Sequence, residues 1–199
     1  MPLVKLFPNL QKNTIKENKI LRYILLKGIP FFIGGLIMKV VHKIEPIFTP
    51  SSKILILGTM PSPKSRENKI YYGHPKNRFW TVLSSILKEN LPNTNLEKIE
   101  LLKKYNIALW DVLHSCDIEG ASDNSIKNPV PNDIKSIVDK SEIKHIFTTG
   151  KKALELYNKL CLENVGIEAI SLPSTSPANF RYSEEKLIEE YSIILKYLK

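Results

Sequence analysis

Downstream of residue 38 the chain alternates short, continuous apolar runs with longer segments whose apolar residues recur every three or four positions. The runs at residues 53–57, 107–110, 144–147 and 167–172 are continuous, the pattern of parallel strands buried on both faces. Between and after them lie helical periodicities at 74–87, 96–105, 131–140, 150–162 and 183–198. In the first, Phe79, Val82, Leu83, Ile86 and Leu87 share one face, and Pro75 falls in the first turn, where a missing N–H costs nothing. Strand–helix alternation on this scale predicts a three-layer α/β/α sandwich around a central four-stranded, mainly parallel sheet.

Residues 1–37 break the pattern. Lys5, Lys12, Lys16, Lys19, Arg22 and Lys27 face a single acid, Glu17, ahead of an apolar stretch at 28–38. That stretch is shorter than the roughly 18–20 residues a membrane span requires, and Pro30, Gly34 and Gly35 interrupt it. A small-residue cleavage site is not evident. The expectation is an N-terminal extension over 1–37, with no membrane anchor, and a folded domain over 38–199. Gly34-Gly35 lie shortly upstream of Met38, and their codons can spell a bacterial ribosome-binding sequence. Met38 is therefore expected as the initiator, a hypothesis that the intact mass of the natural protein decides.

Composition narrows the partners. The 199 residues are 43% hydrophobic and 25% charged, which excludes disordered and collagen-like classes. The net charge of +9 suggests a polyanionic partner. Yet residues 1–37 hold six cations and one acid, whereas residues 38–199 hold 23 cations and 19 acids, so the domain itself is only mildly basic. Cys116 and Cys161 are far apart and His42, His74, His114 and His145 are scattered, which argues against a disulfide framework or a metal site. A reducing, cytoplasmic setting is the expectation.

Chemistry in open parallel sheets collects beyond the carboxyl ends of the strands. There the chain places Gly58-Thr59-Met60-Pro61-Ser62-Pro63-Lys64-Ser65, then Asp111 with 114–117, then Thr148-Thr149-Gly150-Lys151, and finally residues 173–181. Small hydroxyl residues, glycines and cations let donors approach phosphate closely, although any one such loop is as readily a plain turn. A dinucleotide fingerprint, a P-loop and a nucleophile elbow are all absent.

Two segments, GTMPSPKSRENKIYYGHPKNRFW (58–80) and LPSTSPANF (172–180), resemble the signature motifs of the uracil-DNA glycosylase superfamily. With ALWDV (108–112) they are most similar to its hypoxanthine-DNA glycosylase branch. The resemblance implies a small monomer that needs no metal or cofactor, a monofunctional enzyme of base excision repair. It would hydrolyse the N-glycosidic bond of a deaminated base, hypoxanthine and then uracil, in DNA. The flipped base would enter a pocket, since its sugar carbon is unreachable in a duplex.

Most branches orient the attacking water with an Asp or Asn where this chain has Met60, and stabilise the leaving base with a histidine where it has Leu172. The implied substitute is Asn77, in the first helical turn, with His74 as a competing electrostatic partner or proton donor; either residue alternatively caps the helix terminus. Asp111 is expected to read the base by accepting its lactam N–H as a carboxylate, or else to cap a turn. A buried charge there would reject adenine. Thr59, Met60, Tyr71 and Tyr72 would complete the base pocket, with Phe79 and Trp110 more at home in the core. Ser62, Lys64, Ser174, Thr175 and Ser176 would grip phosphates. Pro177, Asn179 and Phe180 would press into the gap left by the base, and Arg181 would steady the backbone. Two alternatives remain open: a mismatch-specific uracil/thymine glycosylase, and a non-catalytic α/β module binding nucleic acid or phosphate.

Overall fold

Among the described residues, seven strands lie in two sheets, rather than four in one. The computed structural model describes residues 37–120 and 122–198. The expected extension falls outside them except for Ile37, which opens the first strand.

The central sheet consists of β2 (Ile54–Gly58), β3 (Ile107–Asp111), β6 (His145–Thr149) and β7 (Ala169–Leu172), in the order β3-β2-β6-β7 with every pairing parallel. These are the four runs read from the sequence, each within one or two residues. Strand β2 is buried along its whole length because it packs on both faces: Ile54 and Ile56 point to one layer, Leu55 and Leu57 to the other.

On the first face lie α2 (Phe79–Leu87), α3 (Asn95–Lys104) and α7 (Glu184–Tyr191) with a 3₁₀ turn over Ser192–Tyr197. Phe79, Leu83, Leu102, Leu187, Tyr191 and Ile194 bury against the sheet. On the second face lie α4 (Ile134–Val138), α5 (Lys151–Leu160) and α6 (Leu162–Val165). Their Ile134, Ile137, Leu156 and Tyr157 meet Leu55, Leu57 and Ala108. The expected three layers are thus present.

A second sheet was not expected. Strands β1 (Ile37–Val41), β4 (Leu113–Glu119) and β5 (Lys127–Pro131) pair antiparallel in the order β1-β4-β5, and a short helix α1 (Pro63–Asn68) also adds to the expected set. Only the apolar members of β4, such as Leu113, Cys116 and Ile118, contribute to the second core cluster, so the strand never forms a continuous apolar run. Strand β5 ends on Pro131, and the helix expected from that residue instead starts at Ile134, where the Asp133 side chain accepts from the Ser136 N–H. Likewise the helix expected over 74–87 begins only at Phe79. His74 to Asn77 form a turn closed by the Asn77 N–H on the His74 carbonyl at 2.8 Å, so Pro75 and Asn77 are not helical.

Because Leu55 is fully enclosed in the strand between β3 and β6, Leu55→Ala is expected to cost about 2–5 kcal/mol. Urea denaturation of the full chain measures this.

Candidate active site

The carboxyl ends of β2, β3 and β6 and the loop after β7 surround a cleft of about 160 Å³. Ten residues singled out from the sequence line it: Thr59, Met60, Ser62, Tyr71, Tyr72, Asn77, Asp111, Ser174, Thr175 and Ser176. Such convergence follows from a parallel sheet, whose strands all end on the same side.

Asp111 forms its floor. It is the last residue of β3, paired in register with Gly58 at the end of β2, and only 4% exposed. A Cβ at Gly58 would lie 2.2 Å from Asp111 Oδ1, so the bare glycine is what admits the carboxyl. Among the described residues Oδ2 is buried without a hydrogen-bond partner. Burial, reinforced by the nearby Asp123 carboxylate, pushes this acid up to about 8, against a hydrogen bond from the Gly58 backbone that favours the charged form. Burial thus favours the protonated form of Asp111 at neutral pH, where the sequence led to the expectation of a carboxylate. A neutral carboxyl carries both a donor and an acceptor. It matches a lactam N–H and C=O edge with two hydrogen bonds, and with the roles reversed it also matches the N1 and amino edge of adenine. Rejection of adenine by a buried charge therefore does not operate while the acid is protonated.

The backbone beneath is braced. The Asn132 side-chain amide donates to the Asp111 carbonyl at 2.8 Å, and His42 Nε2 donates to the Leu113 carbonyl at 2.8 Å. The second sheet thus buttresses the end of β3.

Asn77 occupies the opposite wall with a fixed orientation. Its Oδ1 accepts from the Phe79 N–H at 3.0 Å and from the Thr175 hydroxyl at 2.9 Å. A backbone N–H is only a donor, so the oxygen is identified without ambiguity and both its lone pairs are occupied. What Asn77 retains for the cleft is Nδ2, a donor. It can orient a water or hold an anionic atom, but it cannot take a proton.

The loop after β7 is held by a residue the sequence reading missed, Arg78. Its guanidinium donates to the carbonyls of Ser176, Asn179 and Tyr182, and its backbone N–H donates to Thr175. Tyr191 Oη donates to the Pro173 carbonyl at 2.8 Å, and the Asn179 amide donates to the Ser174 carbonyl at 2.8 Å. On this pinned loop the Phe180 side chain is 92% exposed, with Arg181 exposed beside it. Leu172, just before the loop, is buried in the core.

Tyr71 donates to the Ile44 carbonyl at 2.7 Å. Tyr72 stacks on Phe79 with ring centroids 3.9 Å apart and pairs its hydroxyl with Thr149 at 2.8 Å. These contacts hold Tyr72 at φ 54°, a left-handed conformation that a bulky residue adopts only when its surroundings impose it. Burial raises both phenols far above their ordinary range, so they act as neutral hydroxyls.

Two expected residues do not reach the cleft. His74 Nδ1 accepts from the Lys76 N–H at 3.1 Å and serves its own turn. Lys64 pairs with Glu67 at 2.7 Å on the exposed side of α1. Asn179, Phe180 and Arg181 belong to the flanking loop rather than to the lining. Thr149, from the loop expected at the end of β6, lines the cleft as well, and Arg66 and Asp123 line it without having been anticipated. Among the described residues no group of three or more His, Cys, Asp or Glu side chains is arranged to hold a metal ion, and no helix is long and apolar enough to cross a membrane.

Comparisons with known proteins agree on one family. The model of the uracil DNA glycosylase superfamily matches residues 45–199. A hypoxanthine DNA glycosylase of Methanosarcina barkeri is 38% identical over 138 residues, covering 68% of this chain and 86% of that protein. Its counterpart in Methanosarcina acetivorans is 38% identical over 144 residues, covering 70% and 89%. A solution NMR structure of a Methanosarcina acetivorans protein, named for uracil DNA glycosylase, superposes with a TM-score of 0.69 at 31% identity, covering 81% of this chain and 99% of that one.

Two outcomes follow from the floor of the cleft. Gly58→Ala is expected to displace Asp111 and abolish binding of any ligand that pairs with it, which titration against a cognate duplex reads. Asp111 is protonated to about 8 when folded, against about 3.9 in an unfolded chain. The folded state therefore holds a proton that the unfolded chain releases, and stability falls as pH rises from about 4 to about 8, then levels off. Asp111→Asn lacks this group, so its melting temperature should exceed that of the wild type by a margin that widens between pH 5 and pH 8. A margin that stays constant over that range would instead mean a carboxylate already ionised in the folded state.

Proposed function

This chain belongs to the uracil DNA glycosylase superfamily, and we propose that it is a monofunctional DNA glycosylase that hydrolyses the N-glycosidic bond of deaminated bases in DNA, hypoxanthine foremost. The observation that carries this reading is the buried Asp111 carboxyl, its Oδ2 without a hydrogen-bond partner among the described residues, at the floor of a cleft lined by Ser62, Ser174 and Ser176.

Glycosidic cleavage leaves negative charge on the departing base and positive character on the sugar. In hypoxanthine the charge spreads onto the lactam oxygen. An Asp111 Oδ2–H donating to that oxygen binds more tightly as the bond breaks, and so lowers the barrier rather than merely binding the substrate. Adenine has the same pairing capacity in the ground state, but it presents nitrogen where hypoxanthine presents oxygen. Selectivity thus arises in the transition state. The donor also serves where Leu172 offers no polar group.

Asn77 Nδ2 fits the task of placing the attacking water. Its amide orientation is set before substrate arrives, which supports positioning as its contribution. Phe180 on its pinned loop suits insertion into the gap left by a flipped nucleotide, and Ser174 and Ser176 suit the flanking phosphates, whereas the buried Thr175 hydroxyl is committed to Asn77. The N-terminal segment is proposed as an extension outside this catalytic domain.

The test is base release from duplexes carrying a single hypoxanthine, uracil or mismatched thymine, read as alkali-labile sites. Hypoxanthine duplexes should be cut fastest, and Asn77→Ala should slow single-turnover release by roughly 10²-fold or more. Failure to release any base, with tight lesion binding retained, would instead favour a binding module.

A further inference from the structure

Hydrolysis at the sugar carbon requires a group that takes a proton from water, and the residues already assigned do not supply one. Asn77 has no lone pair free. Tyr71 and Tyr72 are neutral hydroxyls, and Asp111 carries its own proton on the wall that faces the base. The remaining cleft-lining side chains are hydroxyls, apolar groups, the Arg66 guanidinium and a single further carboxyl, that of Asp123.

We propose that Asp123 is the general base of this site, reaching the cleft from the link between β4 and β5 and held there by Thr59. This rests on the glycosylase reading. The geometry is specific. Asp123 opens a 3₁₀ turn over Asp123–Ser125 between β4 and β5, and its Oδ2 accepts from the Thr59 hydroxyl at 2.9 Å, across 64 positions. That bond occupies one oxygen, and among the described residues Oδ1 accepts no hydrogen bond and is left to a water.

The groups that face Asp123 are Asp111 from β3, Cys116 from β4, Lys152 from α5 and Arg66 from α1. Burial raises its proton affinity above that of an ordinary aspartate, while the Thr59 hydroxyl and then Lys152 oppose the shift. A carboxylate so placed is more basic than one in water, as proton abstraction demands.

In the reaction a water oxygen forms a bond to the sugar C1′. The C1′–N bond breaks, and its electron pair leaves with the base. The water proton passes to Asp123. The base anion takes a proton from solvent and Asp123 returns its own to solvent, so the cycle closes with no other reactant.

The decisive measurement is single-turnover release of hypoxanthine as a function of pH. The wild-type rate should fall on the acid side as Asp123 protonates. Asp123→Asn should lose at least about 10²-fold, with the acid limb gone, while its binding of the lesion duplex and its melting temperature are unchanged or higher. Asp123→Ala should recover severalfold with added formate, a small carboxylate that fits the vacated space. The inference is overturned if Asp123→Asn stays within twofold of the wild type. It is equally overturned if the variants lose activity together with melting temperature and formate restores nothing, which marks a structural role. A wild-type protein inert on every duplex would bring down the glycosylase reading and this inference with it.

Discussion

The contact between Gly58 and Asp111 is the constraint on which the site depends. Two parallel strands end side by side, and the absence of a side chain on one leaves room for a carboxyl on the other. Enclosure in that gap raises the proton affinity of the acid, and in the proposed reading its protonation state sets which base edge the pocket can pair with. The second sheet, the Asn132 amide and the pairing of His42 with Leu113 all hold the chain that leaves this point. A residue that shifted either strand end by an ångström would change the chemistry rather than merely the fit.

A division of labour follows. In the proposed reaction one wall, formed by β3 and the Asp111 carboxyl, would meet the edge of the base. Another, formed by Asn77, Thr175 and the Arg78 clamp, would meet the sugar, the attacking water and the phosphates. A third carries Thr59 and Asp123. The three walls come from different layers of the fold, and the parallel sheet is what brings them to one edge.

How much of this could be read from sequence depends on how each element is buried. The four central strands are enclosed on both faces, so each shows as an uninterrupted apolar run. Strands β4 and β5 are half-exposed, carry Ser115, Asp117 and Asn128, and include Pro129 and Pro131, so they look like loop. Asn77 and Asp111 stand in recognisable motifs, and their placement in one cleft was foreseeable. Their hydrogen-bonding states were not, because these depend on Thr175, nearly a hundred residues away, and on a neighbouring glycine. Asp123 sits in a stretch of Glu, Gly, Ser and Asn that signals only a turn. Arg78 gives no local sign that its partners are three carbonyls of a distant loop.

The Arg78 clamp has a consequence for the timing of recognition. A loop that orders on contact loses conformational freedom at the moment of binding, and that loss weakens the complex by about 0.5–1.5 kcal/mol for each rotamer-rich side chain immobilised. Here the carbonyls that would otherwise let the loop wander are already committed to one guanidinium, so its freedom was surrendered when the chain folded. The exposed Phe180 is consequently presented on a backbone already set in place. A protein that scans a long polymer for rare damage can test each position quickly with a side chain so presented, because nothing beneath it has to be assembled before the answer is known.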